Sequence, residues 1–153
     1  MENVAVSDIK LIVNWFLYHQ AMTHKKLQKM LYFSYGIYLA EYNKSDSEIN
    51  DVLFLNHFEA WAHGPVAPYV YQIFKNYGIS LISLEENDGS LLSDKVIYVL
   101  EKTMDIYSKY DADTLEEFTH LQSPWRNARG NLLPYEASNN RILDRDIYLT
   151  FCE

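Results

Sequence analysis

Apolar residues return at helical spacing along most of this chain. Ile9, Ile12, Val13 and Phe16 fall on one face of a first helix that runs to about His19. Ser7 reads as its N-cap, with Asp8 in the first turn. Trp15 and Leu17 lie off that stripe, so more than one face of the helix is expected to be covered. Thr23 caps a longer amphipathic helix, marked by Leu27, Met30, Leu31, Ser34, Ile37 and Tyr38 and ending near Ala40 and Glu41. Gly36 inside it costs about 1 kcal/mol against alanine, which points to a close approach by another element there. The spacing predicts two packed helices in this half.

Asn43 to Asp51 is polar and turn-rich, and reads as a loop. Residues 52–62 are strand-like, though so short an apolar run does not separate a strand from an extended edge. They lead into Glu59-Ala60-Trp61-Ala62-His63-Gly64-Pro65-Val66-Ala67-Pro68. Gly64 permits angles closed to other residues, and Pro65 holds the glycine before it extended or turned. Pro65 and Pro68 then pre-set the first turn of a helix through Val70, Tyr71 and Phe74, with Gly78 as its left-handed stop. The expected result is a rigid corner that presents His63 and launches a helix.

Residues 79–84 alternate apolar and polar and predict a second short strand, followed by a turn around Asp88-Gly89. Ser93 or Asp94 caps a helix with Val96, Val99, Leu100, Thr103, Met104, Ile106 and Tyr107 inward. Asp113 caps a short helix carrying Leu115, Phe118 and Thr119. Ser123-Pro124-Trp125 opens another, because proline at the first helical position forfeits no bond. Gly130 and Pro134 punctuate a loop, and Asp144 caps a terminal helix with Ile147, Tyr148 and Phe151. The expected fold is mainly α: one compact domain over residues 1–153, of six or seven helices with a minor extended or hairpin element.

Composition narrows the function classes. The 153 residues are 48% hydrophobic and 22% charged with no low-complexity tract, enough for a core without metal or disulfide staples. A net charge of −8 argues against general binding to a phosphate backbone, so no direct contact with nucleic acid is expected. His24, Lys25, Lys26 and Lys29 form a local basic cluster that reads as a solvated helix face. The acidic balance favours a basic protein partner. Thirteen tyrosines and three tryptophans suit either a core near the surface or a partner-binding face, and would permit a homodimer. The single cysteine, Cys152, leaves no internal disulfide. With no signal-peptide pattern and no apolar run near the roughly 20 residues of a membrane span, a soluble cytoplasmic protein is expected.

Catalytic and metal chemistry find little support. The histidines at 19, 24, 57, 63 and 120 lack zinc-ligand spacing, and no H-E-x-x-H, C-x-x-C or EF-hand pattern occurs. There is no G-x-S-x-G and no Gly-rich phosphate loop. Glu85-Glu86 and Glu116-Glu117 are adjacent pairs that diverge on a helix and read as solvated surface. A hydrolase using His63 or His120 would need a nucleophile within reach of one of them. The expectation is a non-enzyme without cofactor or metal.

Two clusters remain, the corner at 61–65 and Thr119-His120-Leu121-Gln122-Ser123-Pro124-Trp125. One reading makes the second a helix junction in which Trp125 simply packs. The other joins both into an aromatic-rimmed groove, since tryptophan and tyrosine are favoured interface anchors. Three blocks carry a resemblance: Lys26-Leu27-Gln28-Lys29-Met30-Leu31-Tyr32-Phe33; Glu59-Ala60-Trp61-Ala62-His63-Gly64-Pro65-Val66 with Pro68 and Tyr71; and Leu115 through Thr119-His120 to Pro124-Trp125. In these the chain resembles the Panacea, or SocA-like, antitoxin domain family, which includes many phage-associated proteins. The resemblance extends from about Asp8 to Phe151.

That resemblance implies a mainly helical antitoxin of a two-gene toxin–antitoxin system, binding a co-encoded toxin protein directly. One branch of the family also delivers its toxin to an ATP-dependent protease. Some relatives carry an added helix-turn-helix domain, which is not expected here because only a few residues precede the first helix. The recognition surface is then expected at Trp61, His63, Gly64, Pro65, Tyr71, His120 and Trp125. The tryptophans would anchor, Gly64 and Pro65 would shape the corner, and the histidines would supply polar contacts. Exposed neighbours such as Tyr32, Tyr35 and Tyr69 could do the touching instead. The alternative is a phage-associated regulator or adaptor that binds a host protein without a toxin partner.

Overall fold

The computed structural model describes residues 6–152. Among them are seven α-helices: α1 (Ile9–His19), α2 (His24–Tyr42), α3 (Pro68–Phe74), α4 (Asp94–Tyr107), α5 (Ala112–His120), α6 (Ser123–Arg129) and α7 (Asp144–Phe151). One antiparallel hairpin joins β1 (Glu59–Trp61) to β2 (Gly64–Val66). The fold is mainly α with a minor hairpin, as the periodicity predicts.

Helix α2 is the axis of the molecule. Every residue from Lys26 to Leu39 is buried, so the helix is enclosed on all sides rather than amphipathic. Helices α1, α4, α5 and α7 and the hairpin pack around it. Its N-cap is Thr23, whose hydroxyl accepts from the Lys26 amide. Gly36 is where the terminal helix crosses: a Cβ there would run into the Phe151 ring. The off-stripe residues of α1 are also covered, with Trp15 and Leu17 both in the core.

Several local expectations shift by a few residues. Asp8, not Ser7, caps α1, accepting from the Lys10 amide. Ser93 caps α4, and Asp111 rather than Asp113 caps α5. Asp144 is the first residue of α7, not its cap. Residues 52–58 form no strand and bend at Leu53 and Leu55, so only Glu59–Trp61 forms β1. Pro65 does not open a helix: it sits in β2 opposite Ala60, while Pro68 alone takes the first helical position of α3. Residues 79–84 do not form a strand, since pairing there is limited to one bridge between Ile82 and Met22.

The largest departure is the basic cluster. Lys29 is 1% exposed and Lys26 and His24 are buried as well, because α2 is surrounded where an amphipathic helix would be wet. Lys26 donates to the Ser108 carbonyl (2.6 Å), which satisfies its ammonium at the end of α4.

Candidate functional site

The hairpin turns through Ala62 and His63, with Trp61 paired to Gly64. Neither loop residue has positive φ, and Gly64 takes φ +107° immediately afterwards. A common turn followed by glycine re-aims the returning strand. No Cβ fits at Gly64: it would lie 2.7 Å from Lys29 Cε and 2.9 Å from Thr119 Oγ1. The glycine is required both for its angle and for this close approach.

Side chains from two helices, α2 and α6, hold the hairpin by its backbone. Lys29 Nζ donates to the Pro65 carbonyl (3.1 Å). Trp125 Nε1 donates to the Trp61 carbonyl (2.7 Å), and Arg129 Nη1 to that of Ala60 (3.0 Å). Gln28 accepts from the Ala67 amide through Oε1 (2.8 Å). The outer edge of β1 is paired too, for Ala60 N donates to Asn140 O and Ile142 N to Phe58 O. The corner is rigid because its polar backbone is anchored from below and from the side.

Arg129 is buried without a carboxylate partner among the described residues. Its guanidinium lies over the Trp125 ring (5.0 Å) and also donates to Leu133 O (2.7 Å) and Glu136 O (2.8 Å). One cation therefore fastens β1 to the loop at 133–136. Between hairpin and loop lies an open, mostly apolar groove of about 520 Å³, whose walls include Trp61, Val66, Tyr135 and Ala137.

The seven expected residues are brought together, in two layers. Outside are His63, which is exposed, and half-buried Trp61 and Tyr71, whose rings meet edge to face at 4.7 Å. Trp61 Nε1 donates to Glu59 Oε1 (2.9 Å). Beneath them Gly64, Pro65 and Trp125 are buried, with half-buried His120 stacked on Trp125 at 3.9 Å. Trp125 thus supports the surface and does not form it. Tyr32 and Tyr35 are fully in the core and cannot touch a partner, because α2 is enclosed; Tyr69 is 45% exposed.

Charge gathers beside the turn. Glu116 is not solvated surface: it receives Lys25 on one oxygen and His63 Nδ1 on the other (3.3 Å). Burial pushes its carboxyl up, but Lys25 and His63 together hold it below the ordinary value. Burial lowers the His120 pKa, and among the described residues its Nε2 has no hydrogen-bond partner, Glu116 Oε2 lying 3.6 Å away. His24 is pushed down to about 4 by burial and by the Lys29 charge, so it is neutral against Gln28. Burial, with the Lys25 charge, brings Lys29 down to about 7. Among the described residues no group of three His, Cys, Asp or Glu side chains is arranged to hold a metal ion.

Lys29, Arg129, Glu116 and Tyr135 are the members that sequence reasoning passed over. The first two sit on faces whose other residues are aromatic: Tyr32 and Phe33 follow Lys29 by three and four positions, and Trp125 precedes Arg129 by four. A charge inside an aromatic helical stripe signals burial.

A family model described as antitoxin SocA-like, Panacea domain, matches residues 27–126, from the first turn of α2 into α6. The chain belongs to this family. The match encloses the hairpin and its turn together with Gln28, Lys29 and Trp125, and ends before Arg129, a shorter span than the whole-chain resemblance. No curated protein and no solved structure matches the chain. Among the described residues of this Panacea domain, no helix is long and apolar enough to cross a membrane.

Proposed function

We propose that this Panacea domain is a non-enzymatic, cytoplasmic antitoxin that neutralises a co-encoded toxin protein by direct binding. The groove between the hairpin and the loop at 133–136 is its recognition face. Trp61 is the apolar anchor, Tyr71 backs its ring, and His63 offers a polar contact at the rim. Gly64, Pro65, His120 and Trp125 fix the shape from beneath.

The observation that carries this reading is the holding of an aromatic edge beside an apolar groove by buried side-chain bonds to backbone. A preorganised anchor loses little entropy on binding, which is the condition for a hot spot. Transfer of the bound toxin to an ATP-dependent protease would be a further step from the same complex.

Co-expression with the adjacent gene product tests the proposal. Growth should be rescued with a stable complex, or rescued with loss of the partner in a manner reversed in a protease-deficient host. Trp61→Ala should abolish neutralisation while leaving the helical signal and unfolding midpoint near wild type. A folded Trp61→Ala chain that still neutralises would exclude Trp61 as anchor. A harmless neighbour that never co-purifies would exclude the antitoxin reading.

A further inference from the structure

All four arginines of the chain fall between positions 126 and 145, while its nine lysines all precede them. Arg145 pairs with Asp46. Arg126 and Arg129 instead line one cavity, an open space of about 680 Å³ between α6 and the loop at 130–134. Neither has a carboxylate partner among the described residues.

Arg129 is the unusual member, being 4% exposed. A guanidinium carries five N–H donors. Those of Arg129 run from Nη1 to the Ala60 carbonyl and from Nη2 to the carbonyls of Leu133, Pro134 and Glu136. Its Nε is left without an acceptor among the described residues. Nor is that atom sealed in, for the enclosed side-chain polar atoms that lack a partner there are Gln20 Oε1 and His120 Nε2. Arg129 borders this cavity and not the groove beside Trp61, so the free Nε opens into the cavity. A buried charge without a counter-charge is costly, and an anion placed here would offset that cost.

The rest of the lining supplies donors and no acid. Arg126 is exposed beside the cavity, Asn127 and Asn131 bring side-chain amides, and the Asn131 backbone amide has no partner among the described residues. No aspartate or glutamate lines it, in a chain that holds 21 of them. Two carboxylates near the rim are held elsewhere: Asp146 Oδ2 accepts from Asn127 Nδ2 (3.5 Å), and Glu136 Oε1 from the Leu133 amide (2.9 Å). The carbonyl end of α6 would oppose an anion, yet those carbonyls are occupied. Arg126 O, Ala128 O and Arg129 O accept from Gly130 N, Asn140 Nδ2 and Leu132 N.

Charge sets the class of ligand. Two guanidiniums without carboxylates match an ion with two negative charges, and their planar forks fit the oxygens of a phosphate. A single carboxylate would leave half of that charge unanswered. A nucleic-acid backbone would meet the net charge of −8 beyond the cavity, which favours one phosphate group over many.

We propose that the cavity between α6 and the loop at 130–134 binds one phosphate group, held by Arg126 and by the open Nε of Arg129. The Asn131 amides complete its shell. By neutralising the buried guanidinium, the ion strengthens the tie between β1 and the loop that walls the recognition groove. The site goes beyond the antitoxin reading and stands whether or not a toxin is bound.

NMR titration of the full chain with inorganic phosphate tests the proposal, read at the Arg129 Nε–H and Asn131 amide signals. Both should shift saturably with millimolar phosphate, and sodium chloride at equal ionic strength should not reproduce the shifts. Sodium acetate should bind roughly tenfold more weakly or worse. Arg126→Met changes an exposed side chain that has no partner among the described residues, and Asn131→Asp sets a carboxylate at the rim. Both variants should keep the wild-type circular dichroism and lose roughly tenfold or more in phosphate affinity. O-Phosphoserine separates the sources: tighter binding than inorganic phosphate assigns an esterified group and weaker binding a free ion, and either supports the site. Shifts that fail to saturate, that chloride or acetate reproduces, or that survive both substitutions overturn the proposal.

Discussion

The hairpin at 59–66 and the stretch at 79–84 are both short extended segments laid on a helical body, and they are held in opposite ways. The hairpin is gripped by Lys29, Trp125 and Arg129, each donating to a different carbonyl, and its glycine sits in a space that admits no other residue. The later stretch is tied by backbone bonds of Ser80, Ile82 and Leu84, and a Cβ at its neighbour Gly78 would meet nothing within 4 Å. Buried side-chain donors make a segment a fixed feature of the fold. Backbone pairing on one edge leaves the other edge to solvent.

The glycines give the widest separation. Alanine at Gly64 must hold φ +107°, a strain of about 1–3 kcal/mol, and must also displace Lys29 and Thr119. The Thr119 hydroxyl is fixed by its bond to Glu116 O (2.7 Å), so it cannot easily yield. Urea unfolding should show Gly64→Ala losing about 3 kcal/mol or more, the sum of strain and overpacking. At Gly78, with φ +56°, ψ −126° and open space, alanine should cost the backbone strain alone, about 1–3 kcal/mol, with no overpacking added. Equal losses at the two positions would break the comparison.

Arg129 sharpens it. Arg129→Met keeps a stem on the Trp125 ring but removes the donors to Ala60, Leu133 and Glu136. Stability should fall by about 2 kcal/mol, since some freed carbonyls near the loop regain water. The Glu136 amide, bonded to Leu133 O within the loop, should exchange faster in this variant, while the Ile82 amide should not. Parallel acceleration at both would mean general loosening and not a released groove wall.

How much of this was legible in the sequence follows from what each residue signals locally. The helices were readable because apolar spacing and caps such as Thr23 and Ser93 act within a few residues. Residues 79–84 read as a strand because alternation reports which side chains are buried, and Ile82 is indeed inside; it cannot report that a neighbouring strand is missing. The corner at Gly64 was visible, but not its use of Pro65 as a strand residue, which depends on a carbonyl acceptor for Lys29. Burial of Lys29 escaped because a lysine on a helix is exposed by default, and only enclosure of α2 on all sides reverses that. The groove wall at Tyr135 escaped entirely: it is set by Arg129 reaching across to loop carbonyls, which leaves no periodic trace.

The last effect is electrostatic and belongs to the anchored region alone. Burial, with the Lys25 charge, holds the Lys29 ammonium at a pKa of about 7, against 10.5 for the free side chain. Between those values the unfolded chain binds the proton and the folded chain does not, so stability rises with pH from about 7 upward and is flat with respect to this group below it. The slope is bounded at about 1.4 kcal/mol per pH unit for one group. Above pH 10 the trend reverses, because unfolded tyrosines ionise there while burial keeps Tyr32 and Tyr35 protonated. His24 adds a separate loss on the acid side, as pH falls from 6.5 towards 4. Denaturant curves between pH 7 and 9 should therefore show increasing stability in the wild type and a flat line in Lys29→Met. A rise that persists in Lys29→Met would place the titrating group elsewhere and remove the buried ammonium from the account of how the hairpin is held.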